Sequence, residues 1–342
     1  TGTQNVAVGA LALDANTTAS HNTAIGFASL SENTTGESNT GLGDNALVNN
    51  TTASSNTAIG RNALIMATTG GVNTAVGAFC GDAVTTGSEN TAMGVSCFTD
   101  NTTGSNNVAI GRSAMLNNTT ASNNTAVGHS ALMANTTGTR NTAVGKEALT
   151  SNTTSNNCTA VGWEAAKTAN GATDTTAVGA YALQALTTGD YNVAVGQAAG
   201  VATTTGYSNT YIGLGSGRAA TTGFQNTCIG KDAGKNITTA ERNTLLGYNA
   251  GFNLTTGDGS GNGRNIAIGD DTQFAAVDDH RSIVIGHNST GKGDQTALLR
   301  GSSGVYNSAN TTAWQTTSDR RIKKNIVDNN SGLDALKSIQ VR

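Results

Sequence analysis

The chain has 342 residues, a formal net charge of −3, 12% charged and 4% aromatic residues, and no proline. Nineteen Lys plus Arg over that length leave no basic footprint for nucleic acid, and no apolar run reaches membrane-spanning length. Gly, Thr, Asn and Ala dominate, which would suit a disordered chain if nothing imposed a register.

A register is imposed. Gly9 recurs at Gly26, Gly43 and every seventeenth position to Gly247, fifteen copies without a slip. Two more follow at Gly269 and Gly286, after one insertion of five residues. So short a fixed period predicts a solenoid. The opening Thr1-Gly2-Thr3 falls inside a repeat, carries no signal peptide, and reads as a fragment or a processed end.

Each copy reads Asn-Thr-Ala-Val-Gly-x-x-Ala-Leu-x-x-Asn-Thr-Thr-Gly-x-x, as in the coil that starts Asn141-Thr142-Ala143-Val144-Gly145. Counting that Asn as column one, the first five columns alternate. Thr and Val fall on one face of a short strand, Asn and Ala on the other. The glycine supports a bend or a close backbone approach. The Ala148-Leu149 step predicts a second short strand, and Asn-Thr-Thr-Gly the return turn. Seventeen residues then make a coil of two strands and two turns. About seventeen such coils, stacked as parallel strands about 4.8 Å apart, make a rod of roughly 80 Å.

Asn leads 14 of the 17 copies, with Cys158, Thr175 and Ser282 as exceptions, so column one predicts a ladder of side-chain amides. The many Asn-x-Thr sequons follow from that ladder and the turn, since acceptors about 4.8 Å apart leave no room for glycans on all of them.

Neither face of the first strand carries charge. A two-sheet coil standing alone buries only one face of each sheet. The other face, with Val8, Ile25, Leu42, Ile59 and Val76 and their successors, forms a long apolar stripe of the kind that marks an interface. A homo-oligomer is expected, and a cyclic trimer fits a slender rod. The Asn and Ala side is assigned to the coil interior and the Thr and Val side to partner chains, an assignment the pattern alone leaves reversible.

Column nine is mostly Leu, Phe or Met up to Leu183 and becomes Gly at 200, 217, 234 and 251. Bulk returns at Tyr211, Cys228 and Leu245, where earlier coils have Ala, which predicts a changed cross-section. Residues 258–262 form the insertion, and residues 1–290 make the solenoid. The Gly, Ser and Thr of 291–317 read as a junction or neck.

Catalytic candidates are few. Cys80 and Cys97 share a column in adjacent coils, within reach of a disulfide, but parallel side-chain vectors favour two buried small hydrophobes. Cys158 and Cys228 read as core or ladder substitutions. His21, His129, His280 and His287 fall in different columns, so no metal site is expected, nor any cofactor. Asp278-Asp279-His280 lacks a nucleophile beside it. Trp163, Tyr181, Tyr191, Tyr207 and Phe224 gather in later coils, either as an exposed stacking strip for a receptor glycan or as packing over a wider coil. Adjacent threonines in 14 of the first 15 coils invite an ice-binding reading, but turn chemistry explains side-by-side residues better.

The repeat resembles the head of trimeric autotransporter adhesins and similar phage fibre shafts. That resemblance implies a left-handed parallel β-roll, three chains side by side. Thr317-Ser318-Asp319-Arg320-Arg321-Ile322-Lys323-Lys324-Asn325-Ile326 looks like the start of the C-terminal intramolecular chaperone of endosialidase-type phage tail spikes. The resemblance implies a trimerisation segment, here 318–342 and truncated, with one-time autoproteolysis between Thr317 and Ser318. Ser318 matches the nucleophile and Lys323 the base. The apolar spacing of Leu333, Leu336 and Ile339 predicts its first helix.

The expectation is therefore an all-β, parallel β-solenoid assembled as a homotrimer, a virion tail fibre shaft or receptor-binding protein without substrate turnover. Its expected partners are itself, a host cell-surface glycan or protein receptor, and other tail proteins, with no nucleic acid and no membrane insertion. The alternative is the head of a bacterial cell-surface adhesin.

Overall fold

Alternation lasts only until the glycine, so each repeat can form a single short strand there. The computed structural model shows this, and describes residues 2–256, 263–300 and the backbone of 305–307 and 315–316. Seventeen three-residue strands stack in one parallel sheet, from β1 (Val6–Val8) through β9 (Thr142–Val144) and β10 (Thr159–Val161) to β17 (Ile283–Ile285). Register is strict. Thr142 faces Thr159, Ala143 faces Ala160 and Val144 faces Val161. No helix occurs among the described residues.

The glycine of column five is required by its neighbours. Gly145 has φ 131°, and a Cβ there would meet the carbonyl oxygen of Gly162 in the next coil at 2.4 Å. Successive coils touch backbone to backbone at that corner, where no side chain fits.

The second strand expected at Ala148-Leu149 does not form. Glu147 and Leu149 both adopt left-handed backbone, with φ of 59° and 50°, and the arc through columns six to eleven is a run of turns. Its backbone groups are nonetheless bonded. Glu147 N–H donates to His129 in the coil before at 2.9 Å, Leu149 N–H to Ala165 in the coil after at 3.1 Å, and Ala148 N–H back to Gly145 at 3.3 Å. Left-handed geometry costs a residue with a Cβ about 1 kcal/mol and disfavours branching at Cβ. Columns seven and nine accordingly hold no Val, Ile or Thr in any of the fifteen regular coils.

The interior is thin and partly polar. Ala143, Ala148 and Leu149 are fully buried, as are Ala126, Ala131 and Leu132 in the coil before, whereas Ala7 in the first coil is exposed. Column one forms the expected ladder. Asn124 Oδ1 accepts the backbone N–H of Asn141 at 2.9 Å, and Asn141 Nδ2 donates to the Ser155 carbonyl at 2.8 Å. A second ladder runs through column twelve, where Asn118, Asn135 and Asn152 each donate from Nδ2 to the Oδ1 of the asparagine below, at 2.8, 2.9 and 3.2 Å. Asn50 Oδ1 is buried without a partner because Ala67 occupies that column in the following coil. The column-twelve asparagines that head the Asn-Thr-Thr sequons, such as Asn33, Asn101 and Asn135, are buried, so at those sites burial blocks a glycan more directly than crowding does.

The predicted change of cross-section is a direct exchange of volume. Tyr211 is fully buried between two glycines. A Cβ on Gly217 would stand 2.3 Å from its Cδ1, and one on Gly200 2.6 Å from its Cδ2. Leu245 fills the space over Gly234 and Gly251 in the same way, at 2.8 and 2.7 Å. A smaller trade occurs at Gly41, where a Cβ would meet Ser29 Oγ at 2.4 Å.

Parallel pairing continues past residue 290. β18 (Ala297–Leu299) pairs parallel with β17, Ile283 facing Ala297, so the ladder enters the segment read as a junction. Beyond it the direction reverses. β19 (Val305–Asn307) pairs antiparallel with β18, and β20 (Gln315–Thr316) antiparallel with β19. The insertion 258–262 lies outside the described residues, as do Ser318 and Lys323.

Candidate functional site

The strand face that looks outward is the largest candidate surface. In β9 Ala143 is buried while Thr142 and Val144 are half-exposed, which fixes the inward face as the Asn and Ala side. Column four, the outward apolar column, is Val, Ile, Leu or Met in all seventeen copies. Several members are substantially exposed: Val8 at 57%, Leu42 at 42%, Met93 at 46% and Leu246 at 44%. Column six adds exposed Phe27, Val95, Trp163, Leu214 and Tyr248 beside it. The stripe therefore runs the length of the rod, uncovered in a single chain.

The five aromatic candidates do not form one platform. Trp163 and Tyr181 sit in columns six and seven of adjacent coils, with ring centroids 5.0 Å apart and planes tilted by 46°. Tyr207 and Phe224 share column sixteen, with centroids 4.8 Å apart and planes within 3°. The guanidinium of Arg242 lies over Phe224 at 5.2 Å. Rings in one column stack along the rod axis, so each covers a face of the next and leaves mainly an edge to solvent. Tyr191, in column seventeen, is 60% exposed. Sequence reading missed Tyr248, which is exposed with Lys231 Nζ 5.5 Å from its ring centre. Its signal was column six, where Trp163 was already singled out.

The cysteines are free and buried. Cys97 Sγ donates to the Ala109 carbonyl at 3.0 Å, and Cys158 Sγ to the Ala172 carbonyl at 3.2 Å, the bond an asparagine amide makes elsewhere in column one. Burial pushes the Cys158 thiol up to about 11. Cys80 is held up by its hydrogen bond with Cys97 and by burial, and Cys228 by burial. Each is a packing group.

His280 Nδ1 lies 3.1 Å from Asp294 Oδ2, and His287 Nδ1 3.4 Å from Asp270 Oδ2, as separate pairs between coils. Asp279 is buried, and its Oδ2 accepts the Ala275 N–H at 2.8 Å, so it closes a turn. Burial raises its pKa against the opposing backbone hydrogen bonds of Ala275 and Ala276. On the surface, Lys167 bridges Glu147 at 2.7 Å and Glu164 at 3.3 Å, which lowers the Glu147 pKa. Among the described residues no three His, Cys, Asp or Glu come together to hold a metal, and no helix is long and apolar enough to cross a membrane.

The paired threonines have different surroundings. The first, in column thirteen, donates its hydroxyl to the next coil's carbonyl, as Thr136 Oγ1 does to Thr153 at 3.1 Å. The second, Thr137 and its equivalents, is exposed. Compared with known proteins, the chain matches no family model and no curated sequence.

Proposed function

We propose that the protein is a rigid, self-assembling shaft, three copies side by side, that carries a host-attachment function on a phage tail fibre or related receptor-binding protein. The observation that supports this most is column four, apolar in every one of the seventeen copies and turned outward. A stripe about 80 Å long and about 10 Å wide offers roughly 800 Å² per partner, the size of a standard protein interface. Such a stripe on a lone rod invites association. The left-handed course of the roll belongs to the same reading. So does the chaperone segment at 318–342, with Ser318 as nucleophile and Lys323 as base of a single self-cleavage.

The shaft works by repetition, each coil completing the hydrogen bonds of the one before. Trp163, Tyr181, Tyr191, Tyr207 and Phe224 remain receptor-contact candidates at their edges. A glycan array probed with the intact assembly, followed by incubation of any bound glycan, tests the attachment reading. A bound and chemically unchanged glycan supports it, and cleavage of that glycan contradicts it. Intact mass of the wild type and Ser318→Ala tests processing, and an identical uncut mass in both rejects it. The second reading, the head of a bacterial cell-surface adhesin, draws on the same stripe and the same repeat.

A further inference from the structure

Charge is distributed around the coil by column. Every charged residue described between Asn5 and Asp271 falls in columns six, seven, ten, eleven, sixteen or seventeen, for example Lys146, Glu147, Lys167, Asp100, Asp190 and Arg140. Two outward surfaces carry none over the fifteen regular coils, and in the sixteenth Asp278 takes column fourteen. One is the strand face, columns two and four. The other is the narrow edge formed by columns thirteen and fourteen, Thr-Thr in 14 of 15 coils and interrupted only by Asn170-Gly171.

Turn chemistry accounts for the first threonine of each pair, whose hydroxyl is spent on the next coil. It does not account for the second. Thr35, Thr52, Thr120 and Thr137 are exposed, and their hydroxyls make no hydrogen bond within the described chain. Ser, Asn or Lys would serve an exposed turn position as well, yet the column stays Thr. A short branched side chain with an outward methyl suits a surface that is pressed flush against another. An uncharged row on the same 17-residue pitch as the strand face is in step with it at every coil.

We propose that the threonine edge of one copy seats against the apolar strand face of the next copy, so that assembly uses two different surfaces of each chain. This rests on the self-assembly reading above and adds the second half of the contact. Two unlike surfaces on one chain give a head-to-tail contact, which closes into a three-membered ring when each copy is turned about 120° from the last. Both surfaces are free of charge, whereas a symmetric pairing of strand faces would leave the uncharged edge without a role.

The test places lysines on the edge of the full chain. Thr120→Lys/Thr137→Lys/Thr154→Lys alters exposed positions, and Asn117→Lys/Ala134→Lys/Ser151→Lys places the same charge in column eleven, which already accepts Glu32 and Asp100. Sedimentation should show the edge variant associating at least about a hundredfold more weakly than wild type, since buried unpaired charges are strongly unfavourable, while the column-eleven variant assembles normally. An edge variant that assembles like wild type overturns the proposal and leaves the apolar-face reading standing. A monomeric wild type overturns both. Thr137→Cys supplies a readout that does not depend on the lysine variant folding. Its maleimide labelling in the assembled protein should be at least tenfold slower than that of Ala134→Cys, the native thiols being buried. Equal labelling overturns the proposal.

Discussion

Tyr211 and its flanking glycines give the sharpest test of how the core is filled. Tyr211→Ala removes a fully buried ring and should cost about 3–5 kcal/mol, the range for aromatic truncation. Gly217→Leu alone pushes its Cβ to 2.3 Å from the Tyr211 ring, so overpacking adds about 1–3 kcal/mol. The backbone there is left-handed, φ 59°, and a side chain adds about 1 kcal/mol more. The double variant, however, makes this coil resemble the one with Ala143 and Leu149, where leucine already tolerates φ 50°. Its cost should fall below the sum of the singles by about 2–3 kcal/mol, at the upper end of coupling between contacting residues. Urea unfolding, with hydrogen exchange followed at the amides of residues 192–242, measures all four corners of the cycle. Penalties that add within about 0.5 kcal/mol would refute the exchange of volume between columns three and nine.

Other consequences follow from the ladders and buried groups. Asn124→Ala strips the buried N–H of Asn141 of its partner and leaves the Gly138 carbonyl with Asn135 Nδ2 alone, and should cost about 1–3 kcal/mol in the same urea assay. Asn124→Asp keeps the shape but sets a carboxylate against that carbonyl, and should cost more at neutral pH than at pH 3. Tyr211→Phe should be neutral or stabilise by about 1 kcal/mol, because the Tyr211 hydroxyl is buried without a hydrogen-bond partner of normal geometry. Asp279 has a pKa raised by burial, so its contribution is fully present below the ordinary aspartate range and is lost as pH rises through the raised value. Amide exchange in residues 265–300 should report that decline, and Asp279→Asn should flatten it. The four native thiols should stay silent to a thiol reagent until the rod unfolds, after which all four react.

The solenoid was legible because stacking forces each column to hold one kind of side chain, and the seventeen-residue glycine displays the period directly. The pattern assigned the Asn and Ala side to the interior but left the assignment reversible, and it is the burial of Ala143 beside half-exposed Thr142 and Val144 that fixes it. The Gly200 and Gly217 exchange with Tyr211 was legible because lost and gained volume fall in the same or adjacent coils. The second strand was misread at Ala148-Leu149. Two apolar neighbours looked like the centre of a strand, while the informative signal was the missing β-branched residues in columns seven and nine. The aromatic strip was read from the gathering of rings in later coils, with packing over a wider coil as the alternative. Tyr207 and Phe224 are indeed adjacent, but a residue in a stacked column points its ring face along the axis, at the next ring. The asparagines of column twelve were assigned to a turn, since nothing in a single repeat distinguishes a solvated turn amide from one bonded to the coil below.

Sedimentation equilibrium of the full chain at micromolar concentration tests most directly the claim that this apolar stripe is covered by further copies. One chain weighs 34.2 kDa, so three copies weigh about 103 kDa, 3 × 34.2. The account predicts that larger mass, and its loss when Val127, Val144 and Val161 are changed to lysine in chains that still show the β-sheet circular dichroism of the wild type. A folded wild-type rod sedimenting as a single chain of 34.2 kDa would contradict it.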